Sequence, residues 1–224
     1  MKTNGRFIVI EGIDGAGTTT QAALLCGKLR DRGMECELTR EPSGGPIGRL
    51  IRDFLEKRIT PLRDVYGDEF AERDALSLLF TADRMDHLYR EVIPRLRAGA
   101  HVVSDRYLHS TCAYQMKDEG HLDWILSLHK YAPAPDLTIY IDLQPQDALA
   151  RIRMRSDPAG ETAQPDGPEL FETSEQLTRI HAAYEAVNRR LAARGDCIAT
   201  IDGRPSAADV HSAIMLEVES LLSK

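Results

Sequence analysis

The sequence Phe7-Ile8-Val9-Ile10-Glu11 leads directly into Gly12-Ile13-Asp14-Gly15-Ala16-Gly17-Thr18-Thr19-Thr20. The apolar run FIVIE is typical of a strand that is buried on both faces of a parallel sheet, and Thr19 to Arg32 has the pattern of a helix. A glycine-rich turn between such a strand and a helix is the setting of a phosphate-binding loop, whose pattern is G-x-x-x-x-G-K-[ST]. Gly12, Gly17 and Thr19 match this pattern, but Thr18 occupies the position of the lysine.

The loop keeps most of the chemistry that holds a phosphate. Its glycines let the backbone turn tightly and present N–H groups to phosphate oxygens, and the helix that follows adds its positive end. The hydroxyl of Thr19 can bind magnesium, whereas the charge that a lysine would bring to the transferring phosphoryl group is missing. An ordinary tight strand-to-helix turn remains the alternative for this segment taken alone. The predicted phosphate-binding residues are Gly12, Gly15, Ala16, Gly17, Thr18, Thr19 and Thr20.

Short apolar runs alternate with longer helical patterns along the rest of the chain. This alternation predicts an α/β fold with a parallel sheet covered by helices on both faces. The predicted strands are 7–11, 35–39, 101–104, 137–143 and 197–201, and the predicted helices are 19–32, 47–57, 68–96, 145–155, 171–194 and 206–222.

Residues 1–224 are predicted to form one domain. The segment SDPAGETAQPDGPE, residues 156–169, is rich in proline, glycine and acidic residues and has no periodicity. At about 14 residues it is long enough to suggest a lid over a ligand site, although a plain surface loop is the alternative.

The bulk composition excludes several classes of protein. Hydrophobic residues make up 42% of the chain and charged residues 28%, as in an ordinary globular protein, and the formal net charge is −7. This acidic balance argues against nucleic-acid binding, which requires a basic surface. Neither a signal peptide nor a membrane-spanning apolar run is visible, and none of the four cysteines forms a CxxC pair. We therefore expect a cytoplasmic protein with no membrane partner.

Asp105 and Arg106 follow the predicted strand HVVS. Open α/β sheets bind their ligands at the carboxyl ends of their strands, so this pair is a candidate for the reaction centre. Asp105 can hold magnesium or its waters, and the planar guanidinium of Arg106 can bridge phosphates. A structural ion pair at the end of a strand is the alternative.

Further polar and aromatic residues stand at positions where a nucleotide could bind. Phe80 and Arg84 are four residues apart on a predicted helix and share one face, so they could stack on a base and donate to its carbonyl. Arg151 and Arg155 also share a helical face, before the acidic segment. For each pair, ordinary packing or a solvated charge is the alternative. The remaining candidates for binding a sugar, a base edge or a phosphate are Glu41, Arg52, Ser110, Thr111, Tyr114 and Gln115.

Taken in order, these pieces resemble the thymidylate kinase family, of the P-loop nucleoside monophosphate kinase type. The matching segments are FIVIEGIDGAG-TTTQ, TREPSGGPIG, LLFTADR, VVSDRYLHSTCAYQ, PDLTIYIDL and ALARIRMR. The resemblance extends from Phe7 to the last helix. It implies a five-stranded parallel sheet with a flexible lid, and magnesium-dependent transfer of the γ-phosphoryl group of ATP to dTMP. It also suggests a homodimer.

The resemblance implies a role for each candidate residue. Asp14 would lie beside the monophosphate and sugar, and Arg106 would hold phosphate between donor and acceptor. Thr19 and Asp105 would hold magnesium. The acceptor dTMP would be bound by Glu41, Arg52 on its phosphate, Phe80 on thymine, Arg84 on the base carbonyl, Ser110, Thr111, Tyr114 against the ribose 2′ position, and Gln115. The adenine side would carry Arg151 and Arg204.

Two departures from the family pattern concern cations. Thr18 replaces the lysine, and residues 156–178 contain neither lysine nor arginine, although relatives with glycine at the position of Gly15 carry basic residues in the lid. Arg155 is the expected substitute. Two alternatives to a dTMP kinase remain at this point, namely a degenerate nucleotide-binding protein without activity and a kinase for another nucleoside monophosphate.

Overall fold

The computed structural model describes residues 5–67, 69–156 and 173–223. Its sheet consists of β1 Phe7–Glu11, β2 Cys36–Arg40, β3 His101–Asp105, β4 Leu137–Asp142 and β5 Ile198–Asp202. All the neighbouring strands are parallel, and their order is β2-β3-β1-β4-β5. The predicted five-stranded parallel sheet is thus confirmed. Each predicted strand lies within one residue of its observed bounds.

The helices are α1 Thr18–Asp31, α2 Pro46–Leu55, α3 Leu62–Tyr66, α4 Glu69–His87, α5 Ile93–Ala98, α6 Leu108–Gln115, α7 Glu119–Leu128, α8 Pro145–Ser156, α9 Ser174–Ala192 and α10 Ala207–Leu222. The suggested lid, residues 156–169, lies outside the described residues apart from Ser156, which ends α8. No helix in the described part of the chain is long and apolar enough to cross a membrane.

The middle strand explains why the sheet is covered on both faces. All five residues of β1 are buried, and Ile8, Val9 and Ile10 are fully inaccessible. Each such side chain contributes about 1.5–3 kcal/mol when it leaves water. From β1 the chain crosses by α1 toward β2, whereas α6 and α7 carry it from β3 in the opposite direction to β4. Because parallel crossovers are right-handed, these two connections lie on opposite faces.

The sequence analysis did not predict α6, α7 or the short α3. In α6 nearly every residue is buried, so it has none of the polar-to-apolar alternation that reveals a surface helix. The single helix predicted over 68–96 is in fact interrupted by a π-helical turn at Leu88–Val92 before α5. Pro94, which has no N–H group, stands in the first turn of α5 and prevents a continuous ladder of hydrogen bonds.

The strand order brings the candidate residues to one edge of the sheet. Since all five strands run in the same direction, the loops after β1, β2 and β3 leave from their shared carboxyl end. Ile10 pairs in register with Asp105, and the Arg106 N–H donates to the Ile10 carbonyl at 2.9 Å. The glycine-rich loop and the Asp105-Arg106 pair are therefore direct neighbours, at the point where the chain reverses its direction across the sheet.

Candidate active site

The glycine-rich loop has the backbone that its sequence predicts. Gly15 and Gly17 have φ angles of +85° and +96°, which side-chain-bearing residues rarely adopt. A Cβ atom on Gly15 would also lie 2.6 Å from the carbonyl oxygen of Ala148 in α8. Gly17 caps the start of α1, so the first N–H groups of that helix point toward the loop. The result is a turn at a helix N-terminus whose N–H groups can bind an anion.

Thr18, at the lysine position, is buried with 5% of its surface exposed. The next residue, Thr19, is exposed, and its hydroxyl donates to Asp105 Oδ2 at 2.5 Å. Asp105 is itself buried, and its Oδ1 atom has no hydrogen-bond partner among the described residues. A carboxylate oxygen and a hydroxyl thus lie together beside the loop, which are ligand types that magnesium prefers.

Arg106 connects β3 to the glycine-rich loop. Its backbone is left-handed, with φ +72°. Its Nη1 donates to the Gly12 carbonyl at 2.9 Å, and its Nη2 donates to Asp14 Oδ1 at 2.6 Å. Burial opposes its charge, but Tyr114 and Asp14 raise the pKa of Arg106 well above its ordinary value. A permanent cation therefore lies against the first glycine of the loop.

Asp14 also holds the tyrosine of α6. The Tyr114 hydroxyl donates to Asp14 Oδ2 at 2.7 Å, and the Arg106 guanidinium lies 5.4 Å from the centre of the Tyr114 ring. Burial raises the pKa of Tyr114 well above its ordinary value, so this hydroxyl remains a donor. The Asp14 carboxylate therefore accepts hydrogen bonds from both the charged Arg106 and the neutral Tyr114, and these bonds hold both side chains in place.

A buried carboxylate that the sequence analysis did not select anchors the start of α6. Glu11, the last residue of β1, accepts from the backbone N–H groups of Tyr107 and Ser110 at 2.7 and 3.2 Å. It also accepts from the hydroxyls of Ser110 and Tyr184 at 2.6 and 3.0 Å. Burial raises the pKa of Glu11, while the Ser110 hydrogen bond and the charge of Arg106 oppose that rise. The sequence feature that could have identified Glu11 is an acidic residue at the end of an otherwise apolar strand.

A second buried cluster joins β2 to α4. Arg84 is fully buried, and its Nε and Nη2 donate to Glu41 Oε2 at 2.9 and 2.6 Å. Nη2 also donates to the Thr111 hydroxyl at 2.9 Å, and His87 Nδ1 lies 3.2 Å from Glu41 Oε1. Burial alone would raise the pKa of Glu41, but the charge of Arg84 and the contact with His87 lower it. The third nitrogen of Arg84, Nη1, is buried without a partner among the described residues.

The turn after Glu41 is fixed from two sides. Asp83 accepts from the N–H and hydroxyl of Ser43 at 2.7 and 2.6 Å. Arg52 donates to the carbonyls of Pro42 and Ser43 at 2.9 and 2.7 Å. A Cβ on Gly48 would lie 2.1 Å from the Ser43 carbonyl oxygen, so glycine is required where α2 approaches the turn. The turn and α2 thus hold Arg52 at the cavity described next.

Ten of the predicted residues line one cavity of about 260 Å³, which we call the acceptor cavity. These ten are Asp14, Glu41, Arg52, Phe80, Arg84, Arg106, Ser110, Thr111, Tyr114 and Gln115. Gln115 is 1% exposed, and its Oε1 atom has no hydrogen-bond partner among the described residues. The residues that line the cavity therefore include aromatic rings, three arginines, and two residues with a buried polar atom that has no partner in the described part of the chain, Arg84 and Gln115.

A second cavity of about 490 Å³ is lined by other residues of the loop, and we call it the donor cavity after the ATP site that the family resemblance implies near Arg151. It brings together Gly15, Ala16, Gly17, Thr20, Arg151 and Arg155 from the predicted set. Arg151 is held by the Gly203 carbonyl at 2.7 Å. Arg204 does not line this cavity, because its guanidinium pairs with Asp202 at 2.8 Å. The sequence analysis missed Gln21 and the segment 205–207, which also line it.

Comparisons with known proteins agree with this geometry. The profile of the thymidylate kinase family matches residues 10–214. The chain belongs to the thymidylate kinase family. A probable thymidylate kinase of Pyrococcus horikoshii is 42% identical over 151 residues, which cover 67% of this chain and 71% of that protein. A probable thymidylate kinase of Thermococcus onnurineus is 34% identical over 219 residues, covering 97% of this chain and 99% of that protein.

Membership of the thymidylate kinase family gives the two cavities a common context. A third relative, a probable thymidylate kinase of Pyrobaculum aerophilum, is 38% identical over 210 residues, covering 93% of this chain and 95% of that protein. The similarity therefore spans the glycine-rich loop, both cavities and the strands that position them. Within this thymidylate kinase fold, Arg106 contacts the loop and lines the acceptor cavity.

Proposed function

We propose that the protein transfers the γ-phosphoryl group of ATP to dTMP and releases dTDP and ADP. The observation that carries this proposal is that two residues lining the acceptor cavity each have a buried polar atom without a hydrogen-bond partner among the described residues, namely Arg84 Nη1 and Gln115 Oε1. One is a donor and the other an acceptor. Thymine presents the complementary pair, the O4 acceptor and the N3–H donor, whereas cytosine presents an amino donor and a bare N3 acceptor.

The remaining walls suit the rest of dTMP. Phe80 lines the cavity as a flat surface for the base, with Thr111 beside Arg84. In our proposal Tyr114, which also lines the cavity and is held by Asp14, crowds the ribose 2′ position and so favours the deoxyribose. Arg52 also lines the cavity and, in our proposal, binds the acceptor phosphate. Ser110 completes the set through its contact with Arg106.

The reaction requires positioning more than covalent participation. An oxygen of the dTMP phosphate attacks the γ-phosphorus of ATP, the bond to the β-γ bridging oxygen breaks, and ADP leaves with those electrons. In our proposal the N–H groups of the loop from Gly12 to Thr20 bind the ATP phosphates. Arg106 holds charge between donor and acceptor, while Arg151 and Arg155 flank ATP in the donor cavity. Thr18 supplies a backbone N–H but no charge.

The residues beside the loop fit magnesium. The unpartnered Asp105 Oδ1 and the adjacent hydroxyl of Thr19 would hold the ion or its waters. When bound, magnesium neutralises charge on the β- and γ-phosphates. Thr19 and Asp105 are already oriented by their mutual hydrogen bond, so little reorganisation of these side chains is needed.

An ADP-release assay with dTMP, dUMP, dCMP and dGMP tests the proposal. We expect turnover with dTMP to exceed turnover with the other three acceptors. A preference for dCMP or dGMP would instead identify a kinase for another monophosphate. No turnover with any acceptor, from protein with a cooperative unfolding transition, would refute the proposal.

Thr18→Lys in the same assay separates an active enzyme from a degenerate one. We expect the wild type to be active and the variant to change kcat by less than the about 10²–10³-fold that one preorganised donor is worth, because Arg106 already places a cation on the loop. An inert wild type that becomes active on Thr18→Lys would identify a non-catalytic nucleotide-binding protein.

We also propose that the protein acts as a homodimer. The supporting observation is a set of large apolar side chains exposed on α2, α4 and the π-helical turn, namely Leu50, Leu78 and Tyr89. Light scattering during size-exclusion chromatography would give the mass of two chains, and a mass of one chain would refute this.

A further inference from the structure

Tyr184 of α9 makes contacts that neither the sequence nor the proposed reaction explains. It is fully buried and does not line the acceptor or donor cavity. Its hydroxyl nevertheless donates to Glu11 Oε2 at 3.0 Å, lies 2.8 Å from the Ser110 hydroxyl and accepts from Arg106 Nη1 at 3.3 Å. Helix α9, which lines neither cavity, is thus hydrogen-bonded to Arg106, which lines the acceptor cavity and contacts the glycine-rich loop.

Two hydroxyls of this cluster stand between the Glu11 carboxylate and the Arg106 guanidinium. A hydroxyl has one hydrogen to donate and lone pairs to accept with. The Ser110 and Tyr184 hydroxyls both lie within hydrogen-bond distance of Glu11 Oε2, at 2.6 and 3.0 Å, and of Arg106 Nη1, at 3.1 and 3.3 Å, and they lie 2.8 Å from each other, where either can be the donor. Each hydroxyl therefore links the buried carboxylate of Glu11 to the guanidinium. The buried Glu11 carboxylate can therefore help to orient the Arg106 guanidinium through the two hydroxyls, without a direct hydrogen bond between Glu11 and Arg106.

Both ends of Arg106 are held by its surroundings, because its N–H donates to the Ile10 carbonyl at 2.9 Å and its carbonyl accepts from the Ser104 hydroxyl at 2.7 Å. Its φ of +72° is a conformation that persists only when surrounding contacts determine it. The Tyr184 ring is fixed in turn by stacking on Tyr140 of β4, with centroids 5.2 Å apart, and by an edge contact with Tyr114 at 6.3 Å. The hydroxyl that reaches Arg106 is therefore presented from a rigid side chain.

We propose that Tyr184 is a positioning residue for Arg106, which it links, together with Ser110, to the buried Glu11 carboxylate. This inference rests on the proposed phosphoryl transfer, in which Arg106 acts. Tyr184 contacts no substrate, so its removal should impair the reaction step while both substrates still bind.

Tyr184→Phe removes the hydroxyl and keeps the ring, and Tyr140→Phe is a matched control. Tyr140 stacks on the same ring, is also buried, and its hydroxyl has no hydrogen-bond partner among the described residues. We expect Tyr184→Phe to lower kcat about threefold to tenfold, the value of one hydrogen bond, with KM for dTMP and for ATP changed less than twofold. Tyr140→Phe should leave all three constants unchanged. Equal kcat values for the two variants would overturn the inference.

The Ser110→Ala and Tyr184→Phe double variant tests the shared link. Because either hydroxyl can connect Glu11 to Arg106, we expect the loss in kcat of the double variant to exceed the product of the two single losses. Strictly multiplicative losses would show that the two hydroxyls act separately and would contradict the proposed link.

A spectroscopic measurement separates this inference from the proposed function. The Nε–H resonance of Arg106, assigned as the signal absent from Arg106→Lys, should shift or broaden in Tyr184→Phe and remain in place in Tyr140→Phe. An unchanged resonance would overturn the positioning role even in an active enzyme. A wild type without turnover would refute the kinase proposal, and the resonance would still report whether Tyr184 positions Arg106.

Discussion

Replacing Gln115 by leucine should make the protein more stable and a poorer dTMP kinase. Gln115 is 1% exposed, and its Oε1 atom has no partner among the described residues. A buried polar atom without a hydrogen bond costs about 1–3 kcal/mol. Leucine is apolar and of similar size, and it has no such atom. We therefore expect Gln115→Leu to raise the free energy of unfolding by about 1 kcal/mol, which corresponds to about 2–4 °C in Tm for a chain of this size.

The same substitution should weaken recognition of thymine. Without Oε1, the N3–H group of the bound base loses its acceptor, which costs about 1–3 kcal/mol. We expect kcat/KM for dTMP to fall by about 5- to 150-fold. Since cytosine presents an acceptor at N3, kcat/KM for dCMP should not fall. The preference for dTMP over dCMP should therefore narrow by the same factor.

The assay is steady-state ADP release with each acceptor at saturating ATP, combined with thermal unfolding. Gln21→Leu is the matched control, because Gln21 is also buried with an unpartnered Oε1 but lines the donor cavity. It should leave the preference for dTMP over dCMP unchanged. If Gln115→Leu lowers Tm and preserves the preference, Gln115 is a structural residue and the assignment of the base edge is wrong.

Three further predictions concern the energetics of the fold. Glu41→Gln should cost about 3–5 kcal/mol in urea denaturation, because it leaves the charge of Arg84 buried without its partner, and the Glu41→Gln/Arg84→Met double variant should recover at least half of that loss. Burial lowers the pKa of His109 to about 3 in the folded protein, below its value of about 6.5 in the unfolded chain. His109 therefore lowers the free energy of unfolding increasingly as pH falls below about 6.5. His109→Leu should therefore gain about 2 kcal/mol more at pH 5 than at pH 8, and equal gains at both values would contradict this. Gly15→Ala should destabilise the protein by about 1–3 kcal/mol and raise KM for ATP, whereas Gly27→Ala, in open space on α1, should stabilise it by about 0.5–1 kcal/mol.

The sequence predicts the sheet well because its strands are apolar and its motifs are local. FIVIE, HVVS and LTIYIDL are mostly apolar runs without polar alternation, which is typical of a strand buried on both faces of a sheet. Gly15 and Gly17 predict a turn with positive φ angles, because glycine adopts such angles far more readily than other residues. Helix α6 could not be found in this way, because a helix buried on nearly every side has no periodicity to detect.

The site was less predictable where it depends on contacts between distant elements. Phe80 and Arg84 share a helical face, so their joint presence at one cavity follows from spacing. That Arg84 is paired with Glu41 depends on the approach of α4 to the end of β2, which spacing does not reveal. Arg204 points to Asp202 for a similarly local reason, since the two side chains stand two residues apart after β5. Tyr184 carried no sequence signal, because its role arises only when α9 packs on α6.

The position of Arg106 changes how the threonine at position 18 affects the charge on the phosphate-binding loop. In a phosphate-binding loop the lysine brings a cation to the loop from α1. Here α1 contributes the buried Thr18, and the cation reaches the loop from β3, through the bond between Arg106 and the Gly12 carbonyl. Asp14 balances part of this charge, and Glu11 fixes its position through Ser110 and a tyrosine hydroxyl. With no lysine at position 18, the charge that Arg106 brings to the loop has to be held rigidly. For that reason, catalysis in this family member should depend on residues outside both cavities.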